Sequence, residues 1–146
     1  MLTTRLLHPQ ILEALASAGH GSQVLVADGN YPFSTGASPG AARVHLNLVP
    51  GTVDAVTVVA ALVGAVPVEA AVAMTPDDGS VPPILEEFGR LLPDGVGIGT
   101  LSRSEFYGAA RGPDVALVVA TAEQRVYANL LLTIGVRAPA AEPAGA

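Results

Sequence analysis

The chain has 146 residues, half of them apolar and 14% charged, with a net charge of −6, no Cys, and Arg as its only strong base. One domain with a self-sufficient core fits that length; the missing basic patch argues against nucleic-acid binding, and the missing Cys rules out thiol catalysis, Cys-based zinc sites and disulfides. The longest apolar stretch, Val53 to Val72, contains Asp54, Gly64, Pro67 and Glu69 and is too broken to span a membrane, so the surplus apolar surface belongs to a core or to a subunit interface.

The N-terminus has no continuous apolar run before Pro9, so no signal peptide is read there and a cytoplasmic location is expected. Pro9 suits the first turn of a helix. Ile11, Leu12 and Leu15 form its buried face, and Gly19 follows as the residue after its C-cap. Val24 to Ala27 reads as a buried strand ending at Asp28, and Gly29 to Gly40 as a loop. Arg43 to Leu48 alternates like a strand. Thr52 is the expected cap of a helix running to Leu62, with Asp54 in its first turn. Val66 to Met74 is a second apolar strand whose Pro67 marks an edge or a bulge. A turn over Pro76 to Gly79 leads to a helix over Pro82 to Leu92, with Ile84, Leu85 and Phe88 on one face. Gly95 to Leu101 is a short strand. Ser102 and Glu105 have capping-box spacing for a helix to Ala110. Val115 to Ala120 and Asn129 to Ile134 are further buried strands, and residues 138–146 form a Pro/Ala/Gly tail expected to be disordered. Alternating helices and strands predict an α/β domain over residues 1–137.

Ligands of open α/β sheets collect at the carboxyl ends of strands, which points to Asp28. His20, between Gly19 and Gly21, can exchange a proton at neutral pH. The plainer reading makes it a solvated residue at a helix end. Arg103 begins a helix, where the dipole disfavours a cation. It is either a surface accident or a residue held by an anionic or hydroxyl-rich partner. Tyr127, Ala128 and Asn129 precede the last strand; the Tyr and Asn can hydrogen-bond a polyol, or Tyr127 can simply anchor a loop. Gly95, Gly97 and Gly99 lack the spacing of a dinucleotide loop, and Asp77-Asp78-Gly79 lacks the other positions of a calcium loop.

Several segments in order carry a family resemblance. Ala18-Gly19-His20-Gly21, Val24 to Asp28 and Asn30-Tyr31-Pro32 are followed by Arg103 to Tyr107, Val118 to Glu123, Tyr127 to Leu132 and Gly135-Val136. Together they resemble the RbsD/FucU family of D-ribose pyranases and L-fucose mutarotases. The resemblance implies a three-layer α-β-α fold around a mostly parallel sheet, and conversion of free monosaccharides between ring forms without a cofactor or metal. It implies that His20 is the catalytic acid/base, with Tyr127 as a second proton carrier if its hydroxyl is activated. Asp28, Arg103, Tyr127, Ala128 and Asn129 would bind the sugar, and Asp28 would also orient His20. Arg103 with Phe106-Tyr107 resembles the fucose branch, and so does Asn30-Tyr31-Pro32. Ala128 and Arg43 lean to the ribose branch. L-fucose is the favoured sugar; the alternatives are D-ribose and a non-catalytic sugar-binding or transport-accessory role. The family also implies a ring-like homo-oligomer, commonly a decamer, with sites near subunit contacts.

Overall fold

The computed structural model describes residues 1–140. Its elements are α1 (Pro9–Ser17), β1 (Gln23–Ala27), β2 (Ala42–His45), α2 (Ala55–Val63), β3 (Val68–Met74), α3 (Ile84–Leu91), β4 (Ile98–Leu101), α4 (Arg103–Ala110), β5 (Val115–Ala120) and β6 (Leu130–Ile134). The six strands form one sheet in the order β2-β5-β1-β6-β3-β4. The pairs β2/β5, β5/β1 and β3/β4 are parallel, whereas β6 runs antiparallel to both β1 and β3. Five strands therefore point one way and β6 alone points back.

The sheet is covered on both faces, as the apolar runs require, because strands without a polar face need a layer on each side. Residues of β1 alternate between the two cores. Val24 and Val26 pack with Ile11 and Leu15 of α1, Val58 and Leu62 of α2, and Phe88 of α3. Leu25 and Ala27 pack on the other side with Phe106 and Ala110 of α4 and with Tyr31, Ala37 and Ala41 of the long loop after β1. The result is the expected three-layer arrangement, with a loop completing the layer that α4 cannot fill alone. Arg43 braces that loop, its guanidinium donating to the carbonyls of Phe33 (2.8 Å), Ser38 (3.1 Å) and Ala41 (3.0 Å). Gly36 is obligatory at the tightest point, since a Cβ there would lie 2.8 Å from the Pro32 ring and 2.9 Å from the Tyr31 ring.

Some boundaries differ from expectation. Asp54, not Thr52, caps α2, its carboxylate accepting from Thr57 N at 2.7 Å; Thr52 is engaged in a turn, where it exchanges backbone hydrogen bonds with Val49. Gly19 follows Ala18, the C-cap of α1, as expected, but the left-handed turn falls two positions later, at Gly21 (φ +84°). The second strand ends at His45, and β3 begins only after Pro67, which cannot donate to a ladder. The Ser102–Glu105 capping box forms as its spacing predicts. Of the tail expected over 138–146, residues 141–146 lie outside the described residues.

Candidate active site

The carboxyl ends of β1, β3 and β4 lie along one edge of the sheet. Because β6 is antiparallel to its neighbours, the residues that precede it reach the same edge. This places Asp28, Met74, Arg103, and Tyr127 and Asn129 around one cavity of about 200 Å³, together with Asn30, Tyr31, Tyr107 and Val126. Sites for drug-sized ligands run to ~300–1,000 Å³; this one suits a single small ring. A wider cleft of about 480 Å³ adjoins it across Asn30. Its buried acid, Glu123, is held by Arg125, whereas the smaller cavity brings together Asp28, Arg103, Tyr127 and Asn129.

Asp28 is 3% exposed and Asn129 4%. The two residues hold each other: Asp28 N donates to Asn129 Oδ1 at 2.8 Å, and Asn129 Nδ2 donates to Asp28 Oδ2 at 3.0 Å. Asn30 N (2.9 Å) and Ala128 N (3.2 Å) complete the carboxylate's donors. Burial raises the Asp28 carboxyl above the usual range, and these donors pull the other way. Ala128 thus serves through its backbone. Its methyl is buried in the core and does not line the cavity.

Tyr127 takes a left-handed backbone (φ +58°), rare for a residue that is not glycine. Its loop is anchored from below by Glu123, which is buried. Arg125 donates to Glu123 Oε1 (2.9 Å) and Oε2 (2.9 Å), and also to Glu87 of α3 (2.6 Å). The Arg125 hydrogen bonds hold the Glu123 carboxyl down at about 2. On the far wall Tyr31 stacks on Tyr107, with ring centroids 5.3 Å apart. The Tyr31 hydroxyl donates to Gly36 O at 2.6 Å, and burial followed by proximity to Tyr107 keeps it neutral well above the usual tyrosine range. It is a wall, not a proton carrier. Arg103, first residue of α4, is exposed at the cavity mouth.

His20 is not among these residues. It precedes β1 while Asp28 follows it, and five strand residues at roughly 3.3 Å each separate the two by about 17 Å. The expectation that Asp28 orients His20 therefore fails within one chain: Asp28 is engaged by Asn129, and His20 Nε2 lies 3.0 Å from Glu69. Asn30, Tyr31, Met74, Tyr107 and Val126 were not candidates from sequence. Asn30-Tyr31 and Tyr107 fall within segments that carried the family resemblance, and Met74 had no signal. No group of three or more His, Asp or Glu among the described residues is placed to hold a metal ion.

Comparison with known proteins places the chain in a family. A profile described as the RbsD / FucU transport protein family matches residues 1–137. The chain belongs to the RbsD/FucU family. Among its relatives in that family, a D-ribose pyranase of Paracidovorax citrulli is 33% identical, covering 93% of this chain and 98% of its own. A fucose mutarotase of Homo sapiens is 34% identical and covers 91% of each. The structure of Bacillus subtilis RbsD complexed with D-ribose superposes with a TM-score of 0.78 at 26% identity, over 94% of this chain and 99% of that one. Fucose mutarotase from Streptococcus pneumoniae, solved in complex with L-fucose, has the same fold, with a TM-score of 0.77 at 24% identity over 90% of this chain and 94% of that one. Mutarotases and pyranases are sugar-ring isomerases, and the two branches are about equally similar to this chain.

Proposed function

We propose that this protein interconverts ring forms of a free monosaccharide, with L-fucose the favoured substrate, in the cavity bounded by Asp28, Arg103, Tyr127 and Asn129. The observation that carries the reading is the Asp28–Asn129 unit: a buried carboxylate held rigid by three donors, facing a cavity sized for one ring and walled by stacked tyrosines. Carboxylates and amides so fixed are suited to sugar hydroxyls, and aromatic faces to the C–H faces of a pyranose.

Ring opening takes the proton from the anomeric hydroxyl and delivers one to the ring oxygen as the C1–O5 bond breaks, leaving the open-chain aldehyde. Closure by the same hydroxyl on the other face of C1 gives the other anomer. Closure by the hydroxyl of C4 gives a furanose. One acid/base group near neutrality suffices. His20 has that chemistry but lies at the opposite edge of its own sheet, so in this reading the histidine of a second copy enters the cavity. Asp28 and Asn129 hold the sugar, Arg103 donates to an oxygen at the mouth, and Tyr127 carries the second proton.

Saturation-transfer NMR of anomer exchange in L-fucose, D-ribose and D-galactose tests this. The protein should accelerate exchange of at least one sugar, L-fucose most. The variant His20→Ala should slow it about 10²-fold or more, the scale of losing an acid/base. Exchange no faster than buffer for every sugar would end the enzymatic reading. Sugar binding seen by calorimetry without that acceleration would favour a binding or transport-accessory role.

A further inference from the structure

At the sheet edge opposite the cavity, His20 and Glu69 meet although they are 49 positions apart in the chain. The His20 Nε2 atom lies 3.1 Å from Glu69 Oε1 and 3.0 Å from Oε2, within reach of both oxygens. The contact is built by β6, which lies between β1 and β3. Gly21 N donates to Ile134 O (2.9 Å), Ile134 N to Ser22 O (2.9 Å) and Gly135 N to Pro67 O (2.9 Å). The end of β6 thus ties the loop carrying His20 to the start of the strand carrying Glu69.

Two further details fit a placed pair. Gly21 supplies the left-handed turn directly after His20. At Gly135, a Cβ would lie 3.1 Å from Glu69 Cβ and 3.5 Å from Glu69 Oε2, so a glycine leaves the carboxylate its place. Glu69 is also the one charged residue of β3, in Val-Glu-Ala-Ala-Val-Ala-Met, and nothing in the core calls for it.

We propose that Glu69 is the positioning residue of the acid/base histidine. It accepts from Nε2–H, fixes the ring's orientation and tautomer, and leaves Nδ1 as the nitrogen presented to the sugar in a neighbouring copy's cavity. In this arrangement Nδ1 takes the proton of the anomeric hydroxyl, the imidazolium so formed is compensated by the Glu69 carboxylate, Tyr127 gives its hydroxyl proton to the ring oxygen, and the imidazolium then restores the Tyr127 proton. A carboxylate that holds a histidine in this way acts through orientation and charge without itself taking the proton. The inference rests on the role given to His20 above.

The test compares Glu69→Gln, Glu69→Asp and His20→Ala by anomer-exchange NMR on L-fucose and D-ribose, with the ¹⁵N shifts of the His20 ring recorded for the parent and both Glu69 variants. The pair is exposed and contributes little to stability, so all three variants should fold, and their amide spectra check this. Glu69→Gln should lower kcat about tenfold or more at unchanged KM, and the ring should lose its preference for the Nε2–H tautomer. Glu69→Asp, which keeps the charge, should recover part of both. If His20→Ala slows exchange while Glu69→Gln matches the parent, the role of Glu69 is overturned and that of His20 stands. If His20→Ala leaves exchange unchanged, the role of His20 fails and the role of Glu69 with it.

Discussion

Asp28 and Asn129 show how much of a site can depend on which of two similar side chains is an amide. Asn129 offers a donor to the Asp28 carboxylate and an acceptor to the Asp28 amide, and a carboxylate in its place could supply only the acceptor. Asn129→Asp would set two buried carboxyl groups about 3 Å apart, where both cannot ionise. Burial already pushes Asp28 upward, so the pair would hold a proton at neutral pH that the unfolded chain releases. A folded-state pKa above the unfolded value contributes stability in full below the unfolded value, and that contribution fades as pH rises through the folded one. Urea unfolding should therefore show Asn129→Asp about 2–4 kcal/mol less stable than the parent at pH 7, with the deficit shrinking steadily toward pH 4. A deficit independent of pH would contradict this account. Asp28 was visible from the sequence because it ends an apolar strand, and Tyr127 and Asn129 because polar residues stand before another. The reciprocal bonding between Asp28 and Asn129 was not, since it depends on a register between residues 101 positions apart. Glu69 left a trace, a lone acid in an apolar strand, but nothing local to it names His20 as its partner.

Among the elements, β6 does most to create the site, and its direction is what the sequence conceals. An apolar run such as Leu130 to Ile134 satisfies a parallel or an antiparallel position equally well. Only the reversal brings Tyr127 and Asn129 to the edge where Asp28 and Arg103 lie, and the end of β6 to the edge where His20 and Glu69 lie. The helix starts were more legible, because caps are local chemistry. Ser102 and Glu105 formed their box. Thr52 lost to Asp54 because a neighbouring turn engaged its backbone, which local propensity cannot anticipate. Those two caps give a matched pair of variants. Ser102→Ala and Asp54→Ala should each cost about 1 kcal/mol, or a fall of about 4 °C in Tm for a chain of this size. They should differ in activity. Arg103 follows Ser102 directly, so fraying α4 loosens the mouth of the cavity and should raise KM for sugar several-fold. Asp54 does not line the cavity and its loss should leave KM unchanged. Equal kinetics in the two variants, measured by anomer exchange beside calorimetric melting, would separate Arg103 from substrate binding.

At the scale of the whole molecule, composition and geometry bear on the same question. A chain half apolar and sparsely charged leaves Val126 63% exposed on the rim of the cavity, and Leu48 (80%) and Val49 (54%) on the adjoining cleft. Such residues beside a polar site suit burial by another subunit. The separation of His20 from Asp28 adds a direction. If the amino-end edge of one copy serves the carboxyl-end edge of the next, the contact is head-to-tail, and such contacts close into rings when the rotation allows. Light scattering at micromolar concentration should then report a large oligomer. Mixing two inactive variants tests whether sites are shared. His20→Ala retains a complete cavity and Asp28→Ala retains a complete histidine. Each alone should show anomer exchange reduced by about 10²-fold or more. After denaturation and refolding together in equal amounts, random assembly of a head-to-tail ring should pair an intact cavity with an intact His20 at roughly a quarter of the sites. Exchange should return to about that share of the parent rate. A mixture no more active than the separate variants, at the same oligomer size, would mean that His20 does not act across a subunit boundary.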